Sequence, residues 1–216
     1  MLLAFGWPGL QSKAGDRGAR AQDRTGVLVF QSLRIGAYYC VAMMIDTPRT
    51  RLRCWRDSDR DAFAALHAHP EVMLDVGGPL DRPQSDAKLD RYVAAFEHYG
   101  FTRWAIESRE GQFLGYTGIM PSRPAHPLGS HADIGWRLVR SAWGHGYATE
   151  AAAAALRDAF TRCGLKEVIA YTAHDNLRSQ AVMARLCLLR DPSRDFSEPL
   201  GDGLWRGLVW VATQSR

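Results

Sequence analysis

From residue 47 onward the hydrophobic positions fall into two distinct periods. Residues 51–55, Arg51-Leu52-Arg53-Cys54-Trp55, alternate polar with apolar, which predicts a half-buried strand. Asp57 or Ser58 can cap a helix running to about His67, with Phe63 and Leu66 on its apolar face, and it stops before Pro70. A Gly77-Gly78-Pro79 turn and a loop through Pro83 follow. A second amphipathic helix is predicted over 85–99, where Leu89, Tyr92, Val93 and Phe96 recur at helical spacing. Strands over 104–108 and 113–120 flank the tight turn Arg109-Glu110-Gly111-Gln112 and read as an antiparallel hairpin. After a proline-rich loop, 121–127, residues 131–139 alternate again, with Ile134, Trp136 and Leu138 against Asp133, Gly135 and Arg137. A helix over 147–163 contains the run 151–155, five alanines, and Gly164 ends it. A short β-branched strand, 167–172, and a helix from Asn176 to about Leu186 follow, and strands over 188–190 and 204–212 close the pattern. The order β-α-α-β-β-β-α-β-α-β-β predicts a mixed α/β (α+β) sheet with helices on both faces.

Residues 1–46 have a different texture. The opening MLLAFGWPGL is apolar but lacks a basic leader and a clean small-residue cleavage site. Residues 11–25 are polar and broken by glycine, and the apolar stretch 27–45 carries Gln31, Ser32, Arg34 and Gly36, which are costly in hydrocarbon. The expectation is a poorly ordered extension, with Met43 or Met44 as a natural start, and no membrane span. Residues 47–216 form the catalytic-sized domain.

Composition narrows the function classes. The chain of 216 residues is 46% hydrophobic and 23% charged, enough for one well-packed domain. Its net charge is +4, and beyond residue 46 the balance is 22 basic residues against 20 acidic. That mixed surface argues against a nucleic-acid partner. Cys40, Cys54, Cys163 and Cys187 make no CxxC pair, and the seven histidines make no HExxH, so neither a disulfide framework nor a metal site is expected. Free thiols point to a reducing, cytoplasmic setting.

The candidate chemistry begins at Trp143-Gly144-His145-Gly146-Tyr147-Ala148, between a strand and a helix. A helix N-terminus offers unpaired N–H groups and the positive end of the helix dipole, and two glycines let backbone approach an anion. Together they suit a pyrophosphate. A P-loop would need Gly-Lys-Ser/Thr, which is absent, and a dinucleotide fingerprint would need glycine where Thr149 stands.

The run 132–138, the glycine loop and Tyr147-Ala148-Thr149-Glu150-Ala151 resemble the acetyl-CoA motif of GNAT N-acetyltransferases, in particular the ribosomal-protein N-terminal acetyltransferase (RimJ/RimL-like) branch. Thirty residues past Gly146, Asn176-Leu177-Arg178-Ser179 with Val182, Met183 and Leu186 is similar to that branch's second signature. The resemblance covers residues 47–212. It implies a GNAT fold, a mixed but mostly antiparallel sheet of six to seven strands, and direct acetyl transfer from acetyl-CoA to an amine. No metal is implied.

The resemblance also distributes roles. The backbones of Leu138 and Val139 would pair with pantetheine, with the Val139 N–H polarising the thioester carbonyl. Trp143, Gly144, His145, Gly146, Tyr147, Ala148 and Thr149 would hold the pyrophosphate. Asn176 would bond the pantetheine arm while capping its helix. Ser179 would protonate the leaving thiolate, because Met183 stands where many relatives place a tyrosine. Asp133 is the candidate general base, acting through water and held off the core face, with Glu107 in reserve. Glu150 reads as a helix-dipole partner, and His145 and His174 as surface or cap residues.

Two departures leave a second reading open, a GNAT-fold module that binds acyl-CoA without catalysis. They are Met183 and Cys187, the latter where relatives carry a left-handed glycine. The acceptor, a small-molecule amine or a protein N-terminus, is not legible in the loops 77–83 and 121–130, and a homodimer stays open.

Overall fold

The structure, a computed structural model, describes residues 43–200 and 203–214, so residues 1–42 of the extension expected over 1–46 lie outside the described residues. The elements in chain order are β1 (Met44–Asp46), β2 (Thr50–Arg53), α1 (Arg60–Ala68), α2 (Pro70–Met73), α3 (Arg82–Tyr99), β3 (Arg103–Ser108), β4 (Phe113–Pro121) and β5 (Ala132–Leu138). They continue with α4 (Tyr147–Thr161), β6 (Glu167–Ala173), α5 (Leu177–Arg185), β7 (Leu189–Arg190), β8 (Phe196–Leu200) and β9 (Gly203–Thr213). The nine strands make one sheet in the order β1-β2-β3-β4-β5-β6-β9-β7, with β8 pairing β9. Every pairing is antiparallel except β5 with β6.

The sheet exceeds the six to seven strands expected because two short ones lack a readable pattern. β1 has three residues, and the boundary at 46/47 falls inside the hairpin it makes with β2. β8 contains Pro199, which has no N–H for a ladder and suits a strand with a single neighbour. Proline misled at two further points. Pro70 does not simply end α1; it also opens α2, since a proline fits the first helical turn. Pro83 lies inside α3, which starts three residues early. Asp81 accepts from the Gln84 N–H at 2.8 Å, and Gln84 returns a bond to the Asp81 N–H at 3.0 Å.

Register sends alternate side chains to two cores. Ala105 stands opposite Tyr116 and faces α1 and α3, where Trp55, Phe63, Leu66, Leu89 and Tyr92 are buried. Trp104 and Ile106 point the other way, onto a core shared with Leu52, Leu114, Leu138 and the α4 residues Ala151 and Ala154. Farther along, Ile134, Val168 and Ala170 meet Ala152, Ala155 and Met183. The alanines of α4 let that helix lie close on the sheet, so any larger side chain there would overpack it.

In the α1/α3 core His67 is fully buried. Its Nδ1–H donates to the Phe63 carbonyl at 2.9 Å, and its Nε2 accepts from the Tyr116 hydroxyl at 3.3 Å. Burial pushes its pKa down to about 3. A histidine kept neutral in the fold but free to charge when unfolded makes the unfolded chain bind more protons below about pH 6.5.

The end of α5 settles what Cys187 does. Its φ is 57°, the one non-glycine positive φ among the described residues. Leu188 N–H donates to Met183 O at 3.1 Å and Cys187 N–H to Ala184 O at 3.0 Å, the paired bonds of a Schellman cap. The helix keeps the glycine-type ending and carries the strain of a Cβ there.

Two outcomes follow from these observations. Cys187→Gly should stabilise the fold by ~1 kcal/mol, raising Tm by about 2–4 °C for a chain this size. Denaturant titrations should also show stability falling as pH drops from about 6.5 toward 3, with a flatter profile in a folded His67→Gln variant.

Candidate active site

The parallel pair β5–β6 is joined at a single register point, Asp133 with Ile169. On its other edge β5 is paired continuously with β4, from Gly115–Leu138 to Pro121–Ala132. Val139 N–H donates to Leu114 O at 3.0 Å, which sets the phase of the alternation. The peptide groups of Ile134, Trp136 and Leu138 therefore face away from β4. Beyond Asp133 they look into an opening between β5 and β6. Of the two backbone partners expected there, Leu138 points its N–H into the gap, whereas the Val139 N–H is engaged by β4.

The glycine loop closes the wide end of that opening. After a turn at Arg140–Ala142, Gly144 and Gly146 take φ of 82° and 79°. A Cβ on Gly144 would meet open space, so the backbone conformation, not crowding, calls for glycine there. Gly146 is the N-cap of α4, with no side chain capping the helix. Glu150 N–H donates to Gly146 O at 3.1 Å. The N–H groups of Tyr147, Ala148 and Thr149 precede that bond and have no acceptor among the described residues. These donors, at the positive end of a 15-residue helix, fit a diphosphate.

Three arginines that received no role in the sequence reading, Arg49, Arg140 and Arg178, lie around this loop. Arg49 donates through Nη1 to His145 O at 2.8 Å and lies over the Tyr147 ring. Its Nε donates to Glu150 Oε2 at 2.6 Å, and Thr47 Oγ1 donates to Glu150 Oε1 at 2.6 Å. Burial pushes the Glu150 carboxyl up, but those bonds outweigh it and hold the group below the usual carboxylate range. Glu150 thus ties the β1–β2 turn to the loop. Arg140 and Arg178 both pack on the Trp143 ring, at 4.8 and 4.2 Å from its centroid, while Trp143 Nε1–H donates to Leu138 O at 3.0 Å. Trp143 is therefore a brace between strand end, loop and α5. Arg49 stands 101 residues from Glu150, and no local pattern could have joined them.

Asn176 caps α5 by accepting from the Ser179 N–H at 3.1 Å, and its Nδ2–H donates to Asp75 Oδ2 at 2.9 Å. Ser179 is half-buried at the start of the helix, and its hydroxyl has no partner among the described residues. Met183, one turn on, is 2% exposed and belongs to the core. His145 and His174 are both exposed.

The acetyltransferase (GNAT) domain family matches residues 49–187. The chain belongs to the GNAT acetyltransferase family. It is 37% identical over 148 residues to the FsC-acetyl coenzyme A-N(2)-transacetylase of Aspergillus fumigatus, a match covering 65% of this chain and 62% of that enzyme. The chain spans less than two thirds of the length of both curated relatives that it matches at 37% identity. Among solved structures, an acetyltransferase from Agrobacterium tumefaciens superimposes with a TM-score of 0.69 at 28% identity, over 84% of this chain and 99% of that one. The ribosomal-protein alpha-N-acetyltransferase RimL shares the fold, with a TM-score of 0.67 at 15% identity over 85% of this chain and 100% of that one. Among the described residues of this GNAT chain no helix is long and apolar enough to cross a membrane.

Both carboxylates expected to serve as base in this GNAT-family chain are sealed. Asp133 is buried, not held clear of the core, and its carboxylate is paired with the Arg103 guanidinium. Arg103 also donates to the Asp133 carbonyl at 2.9 Å and lies over Gly135, where a Cβ would come within 3.0 Å of it. Gly135 was the available clue, a strand glycine that makes room for a close neighbour. Glu107 is buried and paired with Arg53, which also grips Asp59 at 2.7 and 2.9 Å. In each case a guanidinium occupies the buried carboxylate, so neither group is presented to a substrate amine. Asp133 reads better as a structural anion at the root of the gap. Asp133→Asn should therefore cost ~3–5 kcal/mol of stability in urea titrations, because Arg103 is left buried and uncompensated.

Proposed function

We propose that this chain moves an acetyl group from acetyl-CoA to a primary amine by direct transfer, without an acyl-enzyme. The observation that carries the proposal is the row of unpaired N–H groups at Tyr147, Ala148 and Thr149, set beside the β5–β6 opening. Gly144, His145 and Gly146 bring the backbone of the loop up to the diphosphate. The exposed peptide edge of Trp136 and Leu138 pairs with the pantetheine amides, much as an added strand would. The Leu138 N–H is the donor available to the thioester carbonyl, because the Val139 N–H is held by Leu114 and the Val139 carbonyl accepts from the Ala142 N–H at 2.9 Å. Asn176 completes the grip from the α5 side.

Residues on the page divide the chemistry as follows. The fixed cleft holds thioester and amine together, which supplies proximity and orientation. The amine nitrogen bonds to the carbonyl carbon as the C–S bond breaks. The Ser179 hydroxyl, which has no partner among the described residues, gives its proton to the departing thiolate and recovers one from water. With Asp133 and Glu107 both held by arginines, the amine surrenders its proton to water, so the neutral fraction of the acceptor reacts. A small-molecule amine and a protein N-terminus both suit this scheme. The fungal relative and RimL, as named, each acetylate an amino nitrogen.

Calorimetry with acetyl-CoA tests the cleft, and saturable binding that is lost on Gly146→Leu is expected. Ser179→Ala should lower kcat about 100-fold with little change in acetyl-CoA binding. Unchanged turnover would remove Ser179 from the mechanism. The core position of Met183 and the sealed carboxylates favour one other reading, a module that binds acyl-CoA without turnover. Binding without release of free thiol across an amine panel would decide for it.

A further inference from the structure

Four residues past the last β5–β6 pair, Arg137 stands on one lip of the opening and Ala173 on the other. That is about 13 Å farther along the strands, and the α5 cap Asn176 follows three residues later. The lips share no strand pairing at this level. A turn at Leu74–Val76, from the layer of α1 and α3, joins them. Asp75 Oδ1 accepts from Arg137 Nη1 at 2.9 Å, and Asp75 Oδ2 accepts from Asn176 Nδ2 at 2.9 Å. Arg137 also donates to the Val72 carbonyl.

Burial of Val72 and Met73 fixes the chain up to the start of this turn but not the turn itself. Leu74 and Val76, on either side of Asp75, are 75% and 43% exposed, and Leu177 beside Asn176 is 70% exposed. With its apolar side chains in solvent, the turn is held by polar ties centred on one carboxylate. Asp75 also fixes the Asn176 amide. Oδ1 must face the Ser179 N–H and Nδ2 must face Asp75, so the amide has one orientation, with one lone pair and one N–H left for a ligand.

We propose that Asp75 is a positioning residue for acetyl-CoA, holding Arg137 and Asn176 so that the two lips keep the width and the donor orientation that the pantetheine arm requires. This rests on the reading of the opening as the acetyl-CoA cleft. Asp75 contacts no reacting atom in this scheme; it acts through Asn176 and Arg137. Its loss should therefore weaken coenzyme binding more than turnover.

The test is a double-mutant cycle of Asp75→Ala with Asn176→Ala. It is read as KM and kcat for acetyl-CoA, calorimetric Kd for coenzyme A, and Tm. Asp75→Ala in the otherwise native chain should raise KM and Kd about 10-fold, the worth of one charge-assisted hydrogen bond. It should leave kcat within about 2-fold and have a smaller effect in the Asn176→Ala background, where only the Arg137 tie is left to lose. Asp75→Asn, which keeps an acceptor for Asn176, should recover most of the binding. Asp75→Ser suits a turn but falls short of both donors, and it gives the same comparison if the alanine variant misfolds. An unchanged KM, or an equal loss in both backgrounds, would overturn the role of Asp75 while leaving the cleft intact. Absence of coenzyme binding by the native chain would instead remove the cleft reading itself, and this proposal with it.

Discussion

In a sheet that is otherwise antiparallel, β5 and β6 run the same way. A hairpin cannot connect parallel neighbours; the chain must cross over the sheet, usually as a helix. That crossover is α4, so its N-terminus lies at the carboxyl end of β5. The site follows from this one constraint. It brings together the edge where the two strands part and the end of a helix whose first amides have no partners. In open α/β sheets ligands enter outside the carboxyl ends of strands for the same reason.

Much of the remaining structure keeps this arrangement rigid. Arg103 and Asp133 form a buried ion pair at the one point where β5 and β6 touch. Trp143 ties the loop to the Leu138 carbonyl and carries an arginine from each side. Glu150 anchors the helix start to the β1–β2 turn through Thr47 and Arg49. Each contact joins segments far apart in sequence. The cradle is therefore preformed by the fold, which spares the ligand the cost of ordering it.

Several acidic groups in and around the opening are tied to side chains from other segments. Asp133, Glu107 and Glu150 are each held by arginine, and Asp75 is shared between Arg137 and Asn176. An ionised carboxylate accepts several hydrogen bonds at once, which suits it to tying elements together. In this scheme chemistry rests on groups without protein partners, the Ser179 hydroxyl and the first-turn amides of α4.

The sequence by itself determined the four longer helices, the central strands, the glycine loop and the Asn176 cap, because each is encoded by local periodicity or by a local backbone requirement. It also marked Cys187 as unusual, since the need for a left-handed residue after α5 is a local matter. What only the tertiary structure decided is which side chains are free. Asp133 alternates away from the apolar face in sequence, yet Arg103, thirty residues earlier, buries and neutralises it. The bonds of Arg49 to Glu150 and of Asp75 to Asn176 each span about a hundred residues. The Val139 N–H faces Leu114 because of strand register, and register comes from packing two cores at once. Electrostatic partners and peptide orientation depend on which distant segments meet, and neither spacing nor composition carries that information.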